Sequence, residues 1–189
     1  MIEAYMQRFT ASLNDTVITD GDGQELGHDQ AFQDLTQYFL AKKSSANVFL
    51  FGNGGSSGII SHAAVDFMNA CGFRATALTD NSLLTCQAND FGYENVFRQP
   101  LKTMLREGDI VIGVSSSGKS PNIINGCNYA KENGAYVITY SGFKGNNPLR
   151  SAGDVNFWLG AEDYGVVEIG HSLLIHILTD ELMKHHTKP

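Results

Sequence analysis

Apolar residues recur at helical spacing twice near the amino terminus. Tyr5, Phe9 and Leu13 repeat every four positions, followed by Val17 and Ile18, and Phe32, Leu35, Phe39 and Leu40 share one face of a second stretch. Two N-terminal helices are predicted. Between them, Asp20-Gly21-Asp22-Gly23 resembles the start of a calcium loop. Gln24, Glu25 and Ala31, however, stand where such a loop needs an oxygen ligand, its turn glycine and its closing Glu, so the segment reads as a polar turn. From Val48 the texture changes to short β-rich runs at 48–51, 75–78, 110–114, 136–140 and 155–159, separated by helical patterns. That alternation predicts an α/β fold: a central, mainly parallel five-stranded sheet with helices on both faces, a three-layer α-β-α sandwich. A last helical pattern runs from Val166 to Leu182.

Composition narrows the class. The 189 residues suit one domain, read as 1–189, with 1–44 as an N-terminal helical extension. Apolar residues make up 42% and charged residues 17%, which excludes disorder; a net charge of −7 excludes a general affinity for nucleic acid. Cys71, Cys86 and Cys127 form no CxxC pair and leave an odd thiol, so a reducing, cytoplasmic setting is expected. No apolar run is long enough to span a membrane, and no basic segment leads into an apolar one at the start.

Two loops carry candidate chemistry. The first strand runs into Gly52-Asn53-Gly54-Gly55-Ser56-Ser57-Gly58, where small residues let backbone N–H groups meet an anion at a helix N-terminus. Gly52, Gly54 and Gly58, with Asp80 after the next strand, half-fit a dinucleotide fingerprint. After the third strand, the eight residues Gly113 to Ser120 match the P-loop pattern GxxxxGK[ST], but Gly113 lies inside the β run and Pro121 starts the next helix. Read together, Asn53, Gly54, Gly55 and Ser56 with Ser115, Ser116, Ser117 and Ser120 suit a phosphate monoester held by hydroxyls and amides. His62 and Asp66 stand four apart on one helix, and Glu168 and His176 eight apart on another. Convergence of these four would give a site for zinc or a similar ion, or a carboxylate and imidazole for enolisation beside a carbonyl. His171, His185 and His186 read as core or surface residues.

From about residue 45 onward the chain resembles the sugar isomerase (SIS) domain family, a flavodoxin-like fold, and within it the phosphoheptose isomerases. The residues that carry the resemblance are Gly52-Asn53-Gly54-Gly55-Ser56, His62, Ala88-Asn89-Asp90-Phe91-Gly92, Glu107-Gly108-Asp109, Ser115 to Ser120, and Ile175-His176-Ile177-Leu178. The resemblance implies conversion of sedoheptulose 7-phosphate to a heptose 7-phosphate for bacterial surface polysaccharide. It implies Ser56, Ser115, Ser117 and Ser120 on the phosphate, Ser116 and Asn53 lining it, and Asp90 on sugar hydroxyls. It further implies Asp66 as base, His176 as acid, and a divalent metal, zinc, held by His62, Asp66, Glu168 and His176. A homotetramer with no membrane or direct nucleic-acid partner is implied as well. Asp66 and Glu168 depart from the family's Glu and Gln. Ala70 lies near a missing Arg, and Lys119 replaces an Asn and supplies positive charge. A non-catalytic phosphosugar-binding or regulatory protein, or an isomerase of another phosphosugar, is the rival within the same resemblance.

Overall fold

The β-rich runs assemble into one sheet in the computed structural model, which describes residues 1–186. Helix α1 (Ile2–Asn14) leads into a hairpin of β1 (Val17–Asp20) and β2 (Glu25–Leu26), then α2 (His28–Lys42). Alternating elements follow: β3 (Asn47–Gly52), α3 (Gly55–Asn69), β4 (Arg74–Ala77), α4 (Asn81–Phe91), α5 (Arg98–Met104), β5 (Ile110–Ser115), α6 (Pro121–Glu132), β6 (Tyr136–Gly142), β7 (Val155–Leu159) and α7 (Tyr164–Met183). The five expected strands are all present and mutually parallel, in the order β7-β6-β5-β3-β4.

The sheet has seven strands rather than five. β1 pairs antiparallel with β7, Ile18 opposite Phe157, and β2 pairs with β1. Val17 and Ile18 therefore leave the helical repeat. Their β-branched side chains suit a strand, and β7 would otherwise be left as an open edge. Residues 1–44 are thus not purely helical, and the hairpin is part of the sheet.

Strand side chains alternate between two cores. Val48 and Leu50 of β3, with Ile110 and Ile112 of β5, face Phe39 of α2, Ile60 and Phe67 of α3 and Leu178 of α7. Phe49, Phe51 and Val111 face Val96, Leu101, Ile123 and Cys127 on the α5–α6 side. Counted along the chain, the parallel strands lie in the order 2-1-3-4-5. The topology reverses between β3 and β5, the place where open α/β sheets bind ligands. Both candidate loops leave from the carboxyl ends of those two strands. α1 lies outside this core: none of its residues is buried, and only Phe9 and Leu13 pack against Val166 and Val167.

Candidate active site

The serine loops meet as expected. Asn53, Gly54, Gly55, Ser56, Ser115, Ser116, Ser117 and Ser120 line one open pocket of about 210 Å³, joined by Tyr164 and Glu168 from the start of α7. Gly54 holds φ +54° and ends the loop so that α3 begins with no side-chain cap, leaving its first amides for a ligand. Gly52 lies so close to α3 that an added Cβ would sit 2.9 Å from Ser56 Cβ. Ser115 Oγ and Ser120 Oγ lie 3.3 Å apart, and Ser117 Oγ accepts the Lys119 N–H at 3.3 Å. Ser116 is 5% exposed, and its Oγ is buried with no partner. An orphaned buried hydroxyl in a pocket of neutral donors is what a phosphate oxygen would satisfy.

A second cluster lies where α3 packs on α7. His62 Nε2 and His176 Nδ1 each stand 3.4 Å from Asp66 Oδ2, and the two rings are 5.2 Å apart. Donor atoms of all three residues fall within 4.8 Å of one another. Ligands bound about 2.0–2.1 Å from a tetrahedral zinc lie about 3.4 Å from each other, so two imidazoles and one carboxylate at this spacing fit zinc or a similar ion with a position left open. His62 is exposed, while Asp66 and His176 are half-buried, so one edge of the cluster reaches solvent.

Comparison with known proteins identifies the family. A family model described as the SIS domain matches residues 34–142. The chain belongs to the SIS domain family. A phosphoheptose isomerase of Thermodesulfovibrio yellowstonii is 39% identical over 139 residues, covering 70% of this chain and 69% of that relative. One from Burkholderia pseudomallei strain K96243 is 36% identical over 137 residues, 69% of each. Among solved structures, phosphoheptose isomerase GmhA from Neisseria gonorrhoeae superposes with a TM-score of 0.74 at 25% identity, covering 96% of both chains. A phosphoheptose isomerase from Francisella tularensis gives 0.82 over 97% of this chain and 96% of its own, at 19% identity, a likeness of fold.

Three residues expected at the SIS site stand elsewhere. Glu168 is not in the His62–Asp66–His176 cluster; its carboxylate packs on Gly55 in the serine pocket, so close that a Cβ there would collide with it. Asp90 is exposed on α4 and outside the pocket lining, its carboxylate accepting from Asn89 Nδ2 at 2.9 Å and Cys86 Sγ at 3.5 Å. Lys119 is exposed and also absent from the lining, because the loop turns it outward at the lip.

The rival loop readings have structural explanations. Asp80 caps α4, accepting the Leu83 N–H at 2.8 Å. Gly113 sits within β5 against Cys127 Sγ, a packing glycine and not the start of a phosphate loop. Residues not anticipated from sequence hold the SIS pocket in shape. Buried Asn122 pairs its amide with Asn53 in both directions, at 3.0 and 2.9 Å, and Tyr93 Oη donates to Asn53 Oδ1 at 3.1 Å. Asn53 is therefore largely engaged by protein. His171 is buried in the core with Nε2 3.0 Å from the Ser141 carbonyl oxygen. His186 is half-buried, not a free surface residue: it packs on Gly72, with Nδ1 3.0 Å from Lys43 Nζ.

Proposed function

We propose that this chain is an aldose–ketose isomerase that converts D-sedoheptulose 7-phosphate to D-glycero-D-manno-heptose 7-phosphate through an enediolate. The observation that carries the reading is a separation. The serine pocket and the His62–Asp66–His176 cluster sit on the same two packed helices, seven residues apart from Gly55 to His62 and eight from Glu168 to His176. At 1.5 Å per residue this is about 10–12 Å to His62 and His176, and about 16 Å along α3 from Gly55 to Asp66. An open-chain heptose 7-phosphate reaches about 10 Å from phosphorus to its terminal carbon at ordinary bond lengths. With the phosphate on the serines, C1 and C2 extend to the level of His62 and His176, the imidazoles that stand 3.4 Å from Asp66 Oδ2.

The roles follow from the groups. Ser56, Ser115, Ser116, Ser117, Ser120 and the α3 amides hold the phosphate; the amide pair with Asn122 keeps Asn53 in place beside it. Asp66 Oδ2 is the oxygen both imidazoles approach, which leaves Oδ1 to accept the C1 proton. As that C–H bond breaks, its electron pair forms the C1–C2 double bond and the C2 oxygen takes a proton from His176. Return of the carried proton to C2, with loss of the O1 proton, gives the aldehyde. A divalent ion held by His62, Asp66 and His176, zinc by the chemistry of that donor set, would polarise the sugar oxygens when bound.

Exposed Ile169, Leu173 and Ile177 repeat every four residues on α7, and Ile2 and Met6 are exposed on α1. They support a homotetramer with these helices at its interfaces. The larger cleft of about 460 Å³ beside them, between α2 and α7 and lined by Phe32, Leu40 and Ile177, lacks the serine and glycine donors of the phosphate pocket. No helix among the described residues is long and apolar enough to cross a membrane.

The test is NMR and mass-spectrometric detection of isomer from sedoheptulose 7-phosphate and metal-loaded protein in deuterated water. Conversion with deuterium at the migrating carbon, lost in His176→Asn while the phosphosugar still binds, is the expected result. Binding without conversion under zinc, manganese, iron and nickel would favour a phosphosugar-binding protein instead.

A further inference from the structure

The Asn53 amide is held from outside the pocket that it lines. Its Oδ1 accepts from Asn122 Nδ2 at 2.9 Å and from Tyr93 Oη at 3.1 Å, while its Nδ2 donates to Asn122 Oδ1 at 3.0 Å. An amide oxygen has two lone pairs and an amide nitrogen two hydrogens, so the oxygen is filled and one N–H is left over. The two amides alone do not fix this arrangement. Exchanging oxygen for nitrogen in both keeps their mutual bonds and leaves Asn53 with a spare lone pair instead of a spare N–H. Tyr93 breaks that symmetry, because a phenol, whose oxygen lone pair is delocalised into the ring, donates better than it accepts. Its backbone is anchored for the task. Tyr93 follows Gly92, at φ +81°, and opens a short turn (Tyr93–Asn95) whose Glu94 carbonyl accepts from Asn125 Nδ2 at 2.9 Å. Asn122 and Asn125 lie three apart on α6, so one helix carries both anchors.

We infer that Tyr93 is a positioning residue for phosphate binding, its hydroxyl holding the Asn53 amide with an N–H rather than a lone pair free for the ligand. A phosphate dianion offers only acceptors, so the N–H makes a charge-assisted bond where an oxygen would repel. Tyr93 does not line the pocket and acts through Asn53, which does. Its ring is 57% exposed, so loss of its hydroxyl costs the fold little. The inference rests on the reading that the serine pocket takes the substrate's phosphate.

The experiment is calorimetric titration of the wild-type protein, Tyr93→Phe, Asn53→Ala and the double variant with inorganic phosphate and sedoheptulose 7-phosphate, alongside isomerisation kinetics and melting curves. Affinity of Tyr93→Phe for both ligands should fall about 2- to 10-fold, the value of one neutral hydrogen bond. KM should rise by the same factor, with kcat and melting temperature unchanged. In the Asn53→Ala background the same substitution should change nothing. If Asn53→Ala folds poorly, the split between KM and kcat in Tyr93→Phe at unchanged melting temperature decides alone. Unchanged affinity in Tyr93→Phe, an equal fall with and without Asn53, or a lowered kcat at constant KM overturns the inference. Failure of the underlying readings shows separately in the wild-type protein. Binding of neither ligand overturns the phosphate reading and the role of Tyr93 with it, whereas binding without isomer formation overturns only the isomerase, the role of Tyr93 still being decided by the affinities.

Discussion

His171 makes the stability of this protein acid-sensitive in a way that can be isolated. It lies on α7 between Glu168 and His176, fully buried, with Nε2 3.0 Å from the Ser141 carbonyl oxygen at the end of β6. Nε2 is the donor, and Nδ1 has no partner. Burial lowers its pKa from 6.5 to about 4, outweighing the opposite pull of the Ser141 hydrogen bond. Between those values the unfolded chain binds a proton that the folded protein does not. Stability contributed by the neutral ring is complete above about pH 6.5 and is lost as pH falls towards 4. The full depression corresponds to about 3 kcal/mol, a large share of the ~5–15 kcal/mol that holds a typical domain. His171→Gln retains an amide donor for Ser141 and removes the titration. Urea unfolding of both proteins at about pH 7 and about pH 4.5 should show the wild type losing about 2 kcal/mol more than the variant. Equal losses would refute the assignment of a neutral, proton-excluding His171.

Other substitutions separate binding from folding and from metal. Ser116→Ala removes an unpartnered hydroxyl, so thermal stability should hold or rise slightly, while phosphosugar affinity falls by about 10- to 100-fold, the value of a hydrogen bond to a charged group; melting curves and calorimetry check both. Gly113→Ala drives a methyl into Cys127 Sγ and should cost about 1–3 kcal/mol in urea unfolding, partly restored by Cys127→Ala, with no nucleotide binding in any of these proteins. Asp66→Asn should lower zinc affinity at least about tenfold in competition with a chromophoric chelator, since it neutralises the oxygen shared by both imidazoles.

Much of the site was legible because its signals are local. Four of the five parallel strands, β3, β5, β6 and β7, are buried almost throughout and read as unbroken β-rich runs, and His62 and Asp66 at i and i+4 share a helix face wherever the helix goes. The hairpin was not legible. Val17 and Ile18 of β1 follow the repeat of α1 and Glu25 of β2 reads as part of the polar turn, whereas pairing with the distant Asn156, Phe157 and Trp158 makes β1 a strand and β1 in turn pairs β2. Asn122 was missed for a similar reason: a polar residue in the first turn of a helix gives no sign that it will be buried against Asn53, 69 positions earlier. The resemblance gives Glu168 to the metal; in the structure its carboxylate lies beside Gly55 and lines the serine pocket.

That division into two ends follows from the backbone. α3 and α7 pack side by side on one face of the sheet, and on the isomerase reading each offers one residue near the phosphate and one near the reacting carbons: Gly55 and His62 on one, Glu168 and His176 on the other. Helical rise sets both backbone spacings. Substrate length is then measured by two rigid elements. On the isomerase reading, a five-carbon phosphate held by the same serines leaves its carbonyl about 2.5 Å short of the place a heptose carbonyl reaches. Misplacement of 1 Å already costs ~100-fold in rate. Shorter sugar phosphates should therefore bind to the serine pocket and turn over poorly, and their binding without turnover would trace the selectivity for seven carbons to helix geometry rather than to contacts with individual hydroxyls.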